Sequence, residues 1–412
     1  MSTTRITTAE AAARLGVRPE TVYAYVSRGF LTSHLADDGR SSLFDADEIT
    51  TFRTRAGRRR EPRDLLTPIV SSLTQIDDHT IKIRGRDISE AARTGTPFEA
   101  IATSLWSDEA DGRLDWRVPP SVLAQCARAQ RVLTPASRSE GRSGPGAPLF
   151  ERLQLNLTIA SAADPLRDDL RRPAVARAAA RAIATMVEGL PLEGVVPAND
   201  TRLADRLLPR LTTTRSSTRW RHTLNASLVL LADHDLAAST VAARVAASTR
   251  AHPYAVIAAG LGALRGPLHG AASHDVVALL RDAQRRSAAA AIGDALRSGR
   301  SVTGWGHPLY PDGDPRATVL FDLAADATND RKTLAVIEDV GAIMADRLGQ
   351  PPNIDFALAA FGVLANLRAD ATSAVFAIAR SAGWIGHAIE EYDEAPLRFR
   401  PRSRFVAGRQ KS

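Results

Sequence analysis

The chain has 412 residues but one cysteine, Cys126, and its three lysines leave arginine to carry nearly all positive charge. A single cysteine excludes an intrachain disulfide and a cysteine-based zinc site. No run of about eighteen apolar residues occurs, so no transmembrane helix is predicted. The N-terminus also lacks the apolar core of a signal peptide. We therefore expect a cytoplasmic protein that does not enter a membrane.

The charge balance is basic, with a net charge of +7 and an isoelectric point near 10.1. This balance is typical either of contact with nucleic acid or of a cleft for small polyanions. The guanidinium groups of arginine suit both kinds of ligand, nucleic acid and small polyanions, because they bind carboxylates and phosphates through two parallel hydrogen bonds. A hydrophobic content of 44% and a charged content of 24% indicate a globular protein of two or three domains.

Residues 1–62 are predicted to form a separate N-terminal unit and linker. Residues 7–15 predict a capped helix that ends at Gly16, and Pro19 opens a second helix. A β-wing over residues 39–44 and a third helix from Asp45 complete the predicted unit.

This order of elements resembles the winged helix-turn-helix of MerR-like and excisionase-like proteins. Residues 1–64 contain eleven arginines against nine acidic residues, so the unit is almost neutral. DNA affinity depends largely on phosphate contacts. Binding of DNA and a role in dimerisation or protein contact therefore stay open as alternatives.

The chain from residue 63 onward is predicted to be all-α, because alanine and leucine recur at helical spacing. Four polar islands interrupt this apolar body. A buried ionisable group is costly unless it is paired or used. The islands therefore favour one site that performs proton chemistry on an anionic substrate. They are Gly266–Gly270, Gly304–His307 with Asp314–Arg316, Asn353–Phe356 and Ala379–Arg380.

Two of the islands lie at predicted helix starts. His269 precedes a helix predicted over residues 273–283. The positive end of that helix disfavours an imidazolium, so we expect a neutral ring. A neutral ring can donate a hydrogen bond to a developing enol. Asp355 falls in the first turn after the N-cap Asn353, where the dipole favours a carboxylate. Asp355 is a candidate base; the alternative is a carboxylate that only stabilises the helix start.

The order and residue types of these islands resemble the citrate synthase family over about residues 68–408. This resemblance implies a homodimer with a large helical domain, residues 63–265 plus 370–412, and a small lid domain, residues 266–369, that closes over the substrate. It implies no metal and no redox cofactor, since CoA enters as part of the acyl-CoA substrate.

The resemblance also implies a Claisen condensation of acetyl-CoA with oxaloacetate to give citrate and free CoA. The residue matching Asp355 removes the α-proton, the one matching His269 stabilises the enol, and the one matching His307 polarises the ketone. Four further positions match those that hold oxaloacetate: His234, Arg316, Arg380 and Arg400. The last of them is expected to reach the site of the partner subunit.

Some positions depart from the family pattern. Ala237 stands in place of an asparagine, and Pro311 occupies the place of a basic residue that contacts CoA phosphates. Three alternatives therefore stay open. Propionyl-CoA would make the protein a 2-methylcitrate synthase, a metabolite-sensing DNA-binding regulator could use the same fold, and the reaction could run toward citrate cleavage.

Overall fold

The computed structural model describes residues 5–17, 19–27, 31–36, 42–50, 69–77, 79–107, 114–133, 148–195, 202–214, 217–266, 269–270, 272–298, 303–397 and 399. The chain divides into two compact units, the first ending at Ile69 and the second beginning at Val70. Across these described segments, no helix is both long and apolar enough to cross a membrane.

The first unit combines two helices with a small antiparallel sheet of order β1-β3-β2. Residues 46–50 are also helical. Apolar side chains from the strands and helices share one core, which includes Ile6, Val22 and Phe44. The elements are the helices Thr8–Leu15 and Pro19–Ser27 and the strands β1 (Arg5–Thr7), β2 (His34–Leu35) and β3 (Ser42–Asp45).

Local chemistry explains where these helices begin and end. The Thr7 hydroxyl accepts from the Glu10 amide while the Glu10 carboxylate accepts from the Thr7 amide, which is a capping box. Gly16 ends the helix with a φ of 68°, a conformation that glycine adopts without steric cost. Both helices lie where the sequence predicts them. Strand β1 was not predicted, and part of the predicted wing, residues 39–41, lies outside the described residues.

The second unit is mostly helical, as predicted for the body of the chain. Within its described residues, a small sheet joins three short antiparallel strands, β4 (Thr74–Ile76), β5 (Ile81–Ile83) and β6 (Arg86–Asp87). The described helices are Ile88–Arg93, Phe98–Trp106, Pro120–Val132, Leu149–Ala162, Arg172–Glu188, Leu203–Leu211, Thr218–Leu231, Ala238–Ser248, Pro253–Leu264, Ala272–Arg285, Ala288–Arg297, Pro315–Ala327, Arg331–Leu348, Ile354–Leu364 and Ala371–Tyr392.

The described residues of this unit form two hydrophobic cores. The larger one includes the helix Ala371–Tyr392, which is buried along almost its whole length. The smaller one consists of residues between 276 and 363, inside the range predicted for the lid. The domain boundaries themselves stay a prediction.

The helix Ile354–Leu364 contributes to both cores. Phe361 packs into the larger core, while Phe356 and Ala360 pack into the smaller one. A helix that is apolar on all sides is stable only when it is enclosed. Its first turn, which carries Asp355, is therefore fixed between the two cores.

Candidate active site

Two polar islands distant in the sequence are joined by backbone hydrogen bonds. The Asn353 amide donates to the Gly304 carbonyl (2.9 Å), and its side-chain amide donates to the Gly306 carbonyl (2.9 Å). Gly306 has a φ of +70°, which side-chain-bearing residues rarely adopt. This pairing holds the segment that carries His307 beside the helix start that carries Asp355.

The ring of His307 has a defined hydrogen-bonding state. The Leu309 amide donates to His307 Nδ1 at 3.2 Å, so the proton of a neutral ring lies on Nε2. Burial lowers the pKa of His307, and the positive charge of Arg316 lowers it further. His307 is therefore a neutral donor through Nε2.

His234, His307 and Tyr310 form an aromatic cluster. The Tyr310 hydroxyl and His234 Nε2 are 2.8 Å apart, and the ring centroids of His234 and His307 are 5.1 Å apart. The pKa of His234 is held well below its usual value by burial, then by the charges of Arg316 and Arg380. Both histidines are therefore uncharged near neutral pH.

Arg316 forms a buried, two-point ion pair with Asp314. The two bonds, Nε to Oδ1 and Nη2 to Oδ2, measure 2.9 Å and 2.8 Å. Burial opposes the charged guanidinium, but Asp314 outweighs it and raises the pKa of Arg316. Asp314 also accepts from the Ile354 amide at 3.1 Å. The pair thus links the start of the helix Pro315–Ala327 to the helix start that carries Asp355.

Arg380 lies in the middle of a buried helix without a direct carboxylate partner. Its Nε donates to the Leu231 carbonyl (2.9 Å), and its guanidinium carbon lies 5.0 Å from the Phe376 ring centroid. No described carboxylate is within ion-pair distance of it, although the charge of Asp233 acts on it from further away. Burial lowers the pKa of Arg380 to about 10, so it stays charged near neutral pH. This charge is available to an anionic ligand.

Asp355 has a buried carboxylate oxygen, Oδ1, for which the described residues provide no hydrogen-bond partner. Burial raises the pKa of Asp355 to about 6, although Arg316 and Arg380 pull it down. The sequence predicted an ionised carboxylate at this helix start, and loss of water raises its pKa because it outweighs the favourable charges at this position. A carboxylate with this pKa is mostly ionised near pH 7 and still able to accept a proton, as a general base requires.

His269 lies at the edge of the same group. Its Nε2 is 2.8 Å from the Ser239 hydroxyl oxygen, which also accepts from the Trp384 indole at 3.3 Å. The Phe376 ring lies between it and Arg380. Burial lowers the pKa of His269, and Arg380 adds to the effect. The predicted neutral state is confirmed, with burial as its first cause, and the following helix begins at Ala272.

Comparison with known proteins shows the family to which the chain belongs. The family model for the citrate synthase C-terminal domain matches residues 66–402. The chain belongs to the citrate synthase family. It is 30% identical over 348 residues to citrate synthase 2 of Bacillus subtilis, covering 82% of this chain and 92% of that protein. It is also 37% identical to 2-methylcitrate synthase 2 of Corynebacterium glutamicum, over 43% of this chain and 48% of that protein.

Solved structures show the same fold. Citrate synthase from Thermoplasma acidophilum, in ternary complex with carboxymethyl coenzyme A and oxaloacetate, superposes with a TM-score of 0.66 at 21% identity, covering 84% of this chain and 95% of that one. Citrate synthase from Thermotoga maritima gives a TM-score of 0.62 at 24% identity, covering 86% and 97%. The predicted citrate synthase-like helical fold is confirmed.

Most residues predicted for the site of this citrate synthase family member are connected by shared neighbours. His234 and His307 contact Tyr310, and the Arg316 guanidinium lies over the Tyr310 ring. Asp355 is linked to this group by its electrostatic interactions with Arg316 and Arg380. Arg380 and His269 both contact the Phe376 ring. The remaining predicted residue, Arg400, lies outside the described residues.

Sequence reasoning assigned no role to three side chains that hold the others in place, although one of them, Asp314, lies within a polar island that it identified. Tyr310 contacts two histidines, Asp314 neutralises Arg316, and Ser239 fixes His269. The spacing of Tyr310, three residues after His307, was a visible signal. Nothing along the chain connects Ser239 with His269, because helix packing creates their contact.

A buried network lies behind His234 and Arg380. His387 Nε2 is 3.4 Å from Asp233 Oδ1, and Thr74 donates to the other Asp233 oxygen. Arg244 continues the network, at 2.8 Å from His387 Nδ1 and 2.9 Å from Glu390. The network is held by close contacts between its polar groups, although Asp233 Oδ1, His387 Nε2 and Arg244 Nη2 are buried without a hydrogen-bond partner among the described residues.

Proposed function

We propose that this protein is a citrate synthase-type acyltransferase that condenses an acyl-CoA with oxaloacetate to give citrate, or a homologue of it, and free CoA. The observation that supports this most is Asp355, a carboxylate with an unpartnered buried oxygen and a pKa near 6, beside two buried arginines. A base, two neutral imidazoles and fixed positive charge are what enolisation next to a dicarboxylate requires.

The first step is proton transfer. Asp355 removes a proton from the α-carbon of the acyl group, and the electron pair left behind forms the enol double bond. His269 donates a hydrogen bond to the thioester oxygen as it gains charge. Because Trp384 already donates to the Ser239 oxygen, the Ser239 hydrogen is free for His269 Nε2. This favours the tautomer with its proton on Nδ1, which is the donor toward the enol.

The second step forms the carbon–carbon bond. His307 donates from Nε2 to the ketone oxygen of oxaloacetate, consistent with the Leu309 amide occupying Nδ1. The enol carbon attacks the ketone carbon, and the ketone oxygen takes up a proton. Water then cleaves the thioester and releases CoA. Preorganised neutral donors of this kind stabilise developing negative charge without reorganisation.

The two carboxylates of oxaloacetate are bound by Arg380 and Arg316, with His234 at the same end. Arg380 has no direct carboxylate partner among the described residues, which supports its assignment to the ligand. The match of Arg400 to a family position supports its assignment to the oxaloacetate site of the partner subunit in a homodimer.

Subunit mixing tests this shared site. Arg400→Ala and Asp355→Asn are each expected to be inactive as homodimers. Unfolding and refolding the two variants together in equal amounts should make about a quarter of all sites intact. About half of the dimers are then heterodimers, and each heterodimer has one doubly altered site and one unaltered site. If mixing restores no activity, although both proteins refold as dimers, Arg400 does not act across subunits.

Acetyl-CoA is the proposed acyl donor, supported by the extent of the match to citrate synthase 2 of Bacillus subtilis. Propionyl-CoA stays the alternative, because the chain is also similar to 2-methylcitrate synthases. A thiol-release assay with oxaloacetate and each acyl-CoA separates them by relative kcat/KM. If neither donor releases thiol, the proposed function is wrong. The direction of the reaction follows from measuring citrate cleavage with CoA in the same assay.

A second proposal concerns the first unit. We infer that residues 1–62 form a winged helix-turn-helix that contacts DNA, supported by two consecutive helices and a three-stranded antiparallel sheet. A mobility-shift experiment with the full-length protein and its own promoter DNA tests it, with and without oxaloacetate. If the protein shifts that DNA and condenses neither acyl donor, the regulator interpretation replaces the enzyme. If it leaves the DNA unshifted at low salt, a protein-contact role is favoured.

A further inference from the structure

We propose that Tyr310 is a positioning residue for oxaloacetate, acting through its hydroxyl on His234. This inference rests on the proposed function. Tyr310 is fully buried in the segment between His307 and Asp314. Its hydroxyl oxygen is 2.8 Å from His234 Nε2, and its ring centroid is 4.9 Å from that of His307. The Arg316 guanidinium carbon lies 5.6 Å from the same ring.

The hydroxyl and the ring have separate contacts. The ring packs against His307 and lies under Arg316, and neither contact uses the oxygen. The oxygen contacts His234 Nε2, and no other described side chain hydrogen-bonds that nitrogen. Removing the hydroxyl would therefore leave His234 Nε2 without its partner while the ring packing remains.

Both members of this hydrogen bond are neutral. Burial raises the pKa of the Tyr310 hydroxyl, and burial also lowers the pKa of His234. The bond therefore fixes the direction of an uncharged imidazole and adds no charge of its own. A side chain that contacts substrate must be held to within a fraction of an ångström by its supporting partners. Tyr310 provides this support at the oxaloacetate end of the site.

The acyl-CoA end of the site has different supports. His269 is held by Ser239, to which Trp384 donates, and Asp355 by the N-cap of its own helix. None of these contacts includes Tyr310. Loss of the hydroxyl should therefore weaken oxaloacetate binding and leave proton removal from the acyl group unaffected.

Tyr310→Phe is the decisive variant, because it removes one oxygen and keeps the ring. We expect the KM for oxaloacetate to rise about tenfold, since the buried His234 Nε2 loses its hydrogen bond to Tyr310. The KM for the acyl-CoA and kcat should stay within about twofold of wild type. In the inactive Asp355→Asn background, calorimetry should show a similar loss of oxaloacetate affinity.

A matched control is available outside the site. Tyr254 is also buried, and its hydroxyl donates to Asp164 at 2.7 Å. Tyr254→Phe removes an equivalent buried hydroxyl and should change melting temperature alone, with both KM values kept. Tyr310→Leu, which also removes the ring, should lower kcat as well, because His307 loses the surface against which it packs.

Two results would overturn the inference. One is Tyr310→Phe with an unchanged KM for oxaloacetate in an active enzyme. The other is an equal rise in both KM values, which would indicate a general structural defect. A wild-type protein that neither binds oxaloacetate nor releases thiol would instead remove the proposed function, and this inference with it.

Discussion

Two buried arginines of the site differ in what balances their charge. Arg316 is held by both oxygens of Asp314, which raises the pKa of Arg316. Arg380 contacts a backbone carbonyl and an aromatic face, and burial lowers its pKa to about 10. The protein itself neutralises the first charge, whereas the second awaits a ligand.

This difference gives Arg316 a structural role in addition to its proposed role in binding oxaloacetate, whereas Arg380 is assigned to binding alone. The Asp314–Arg316 pair also receives the Ile354 amide, so it fixes the helix start that carries Asp355. A charge buried without a direct counterion costs free energy that folding alone does not recover. Arg380 is therefore better explained by an anion that binds to it than by a contribution to stability.

The largest expected effect is that of replacing Asp355, whose pKa both arginines lower. Asp355→Asn should lower turnover by about a thousandfold or more, because the amide cannot accept the carbon-bound proton. Calorimetry should show oxaloacetate affinity within about threefold of wild type, since both arginines remain. Activity within a few-fold of wild type would remove Asp355 from the role of base.

Arg316→Leu tests the neutralised charge. It leaves the Asp314 carboxylate buried and unpaired, so the free energy of unfolding should fall by about 3–5 kcal/mol. Denaturant unfolding measures this loss. The double variant with Asp314→Asn should recover part of it, because the amide oxygen can still accept from Ile354. Equal stability of wild type and Arg316→Leu would contradict the structural role of the pair.

Arg380→Leu tests the charge that no described carboxylate neutralises. Removing a buried charge that no described carboxylate contacts should keep or raise the melting temperature. Oxaloacetate affinity should fall about a hundredfold, because the ligand loses a charged hydrogen-bonding partner. Thermal unfolding and calorimetry on the same sample compare the two effects. A large loss of stability with unchanged affinity would reverse the assignment.

The pH dependence follows from Asp355. Its pKa is raised to about 6, and only the ionised form accepts a proton, so kcat/KM should be constant above that value and fall tenfold per pH unit below it. Steady-state rates between pH 5 and pH 8 test this. A fall in kcat/KM centred near the ordinary aspartate pKa of about 4 would show that burial does not raise the pKa of Asp355.

The smallest expected effect is that of removing the first unit. Deleting residues 1–62 should leave kcat and both KM values within about twofold, because the first unit has its own core and the candidate site lies in the second. Thiol release and a folding control by circular dichroism measure this. Lost activity in a folded dimer would show that the two units depend on each other.

The sequence predicted those features that depend on neighbours along the chain. Gly16 ended a helix, Asn353 capped one, and the islands around His307 and Asp355 marked the site. It could not predict that burial would raise the pKa of Asp355, because burial arises from packing of distant helices. The role of Tyr310 was missed although its spacing from His307 was visible, because the sequence does not show that its hydroxyl contacts His234, 76 residues away.

The most direct test of the central claim is thiol release from acetyl-CoA by the purified full-length protein above pH 6, with and without oxaloacetate. We predict release that requires oxaloacetate and disappears in Asp355→Asn. Release that is independent of oxaloacetate, or that persists in Asp355→Asn, would contradict a condensation in which this buried carboxylate is the base.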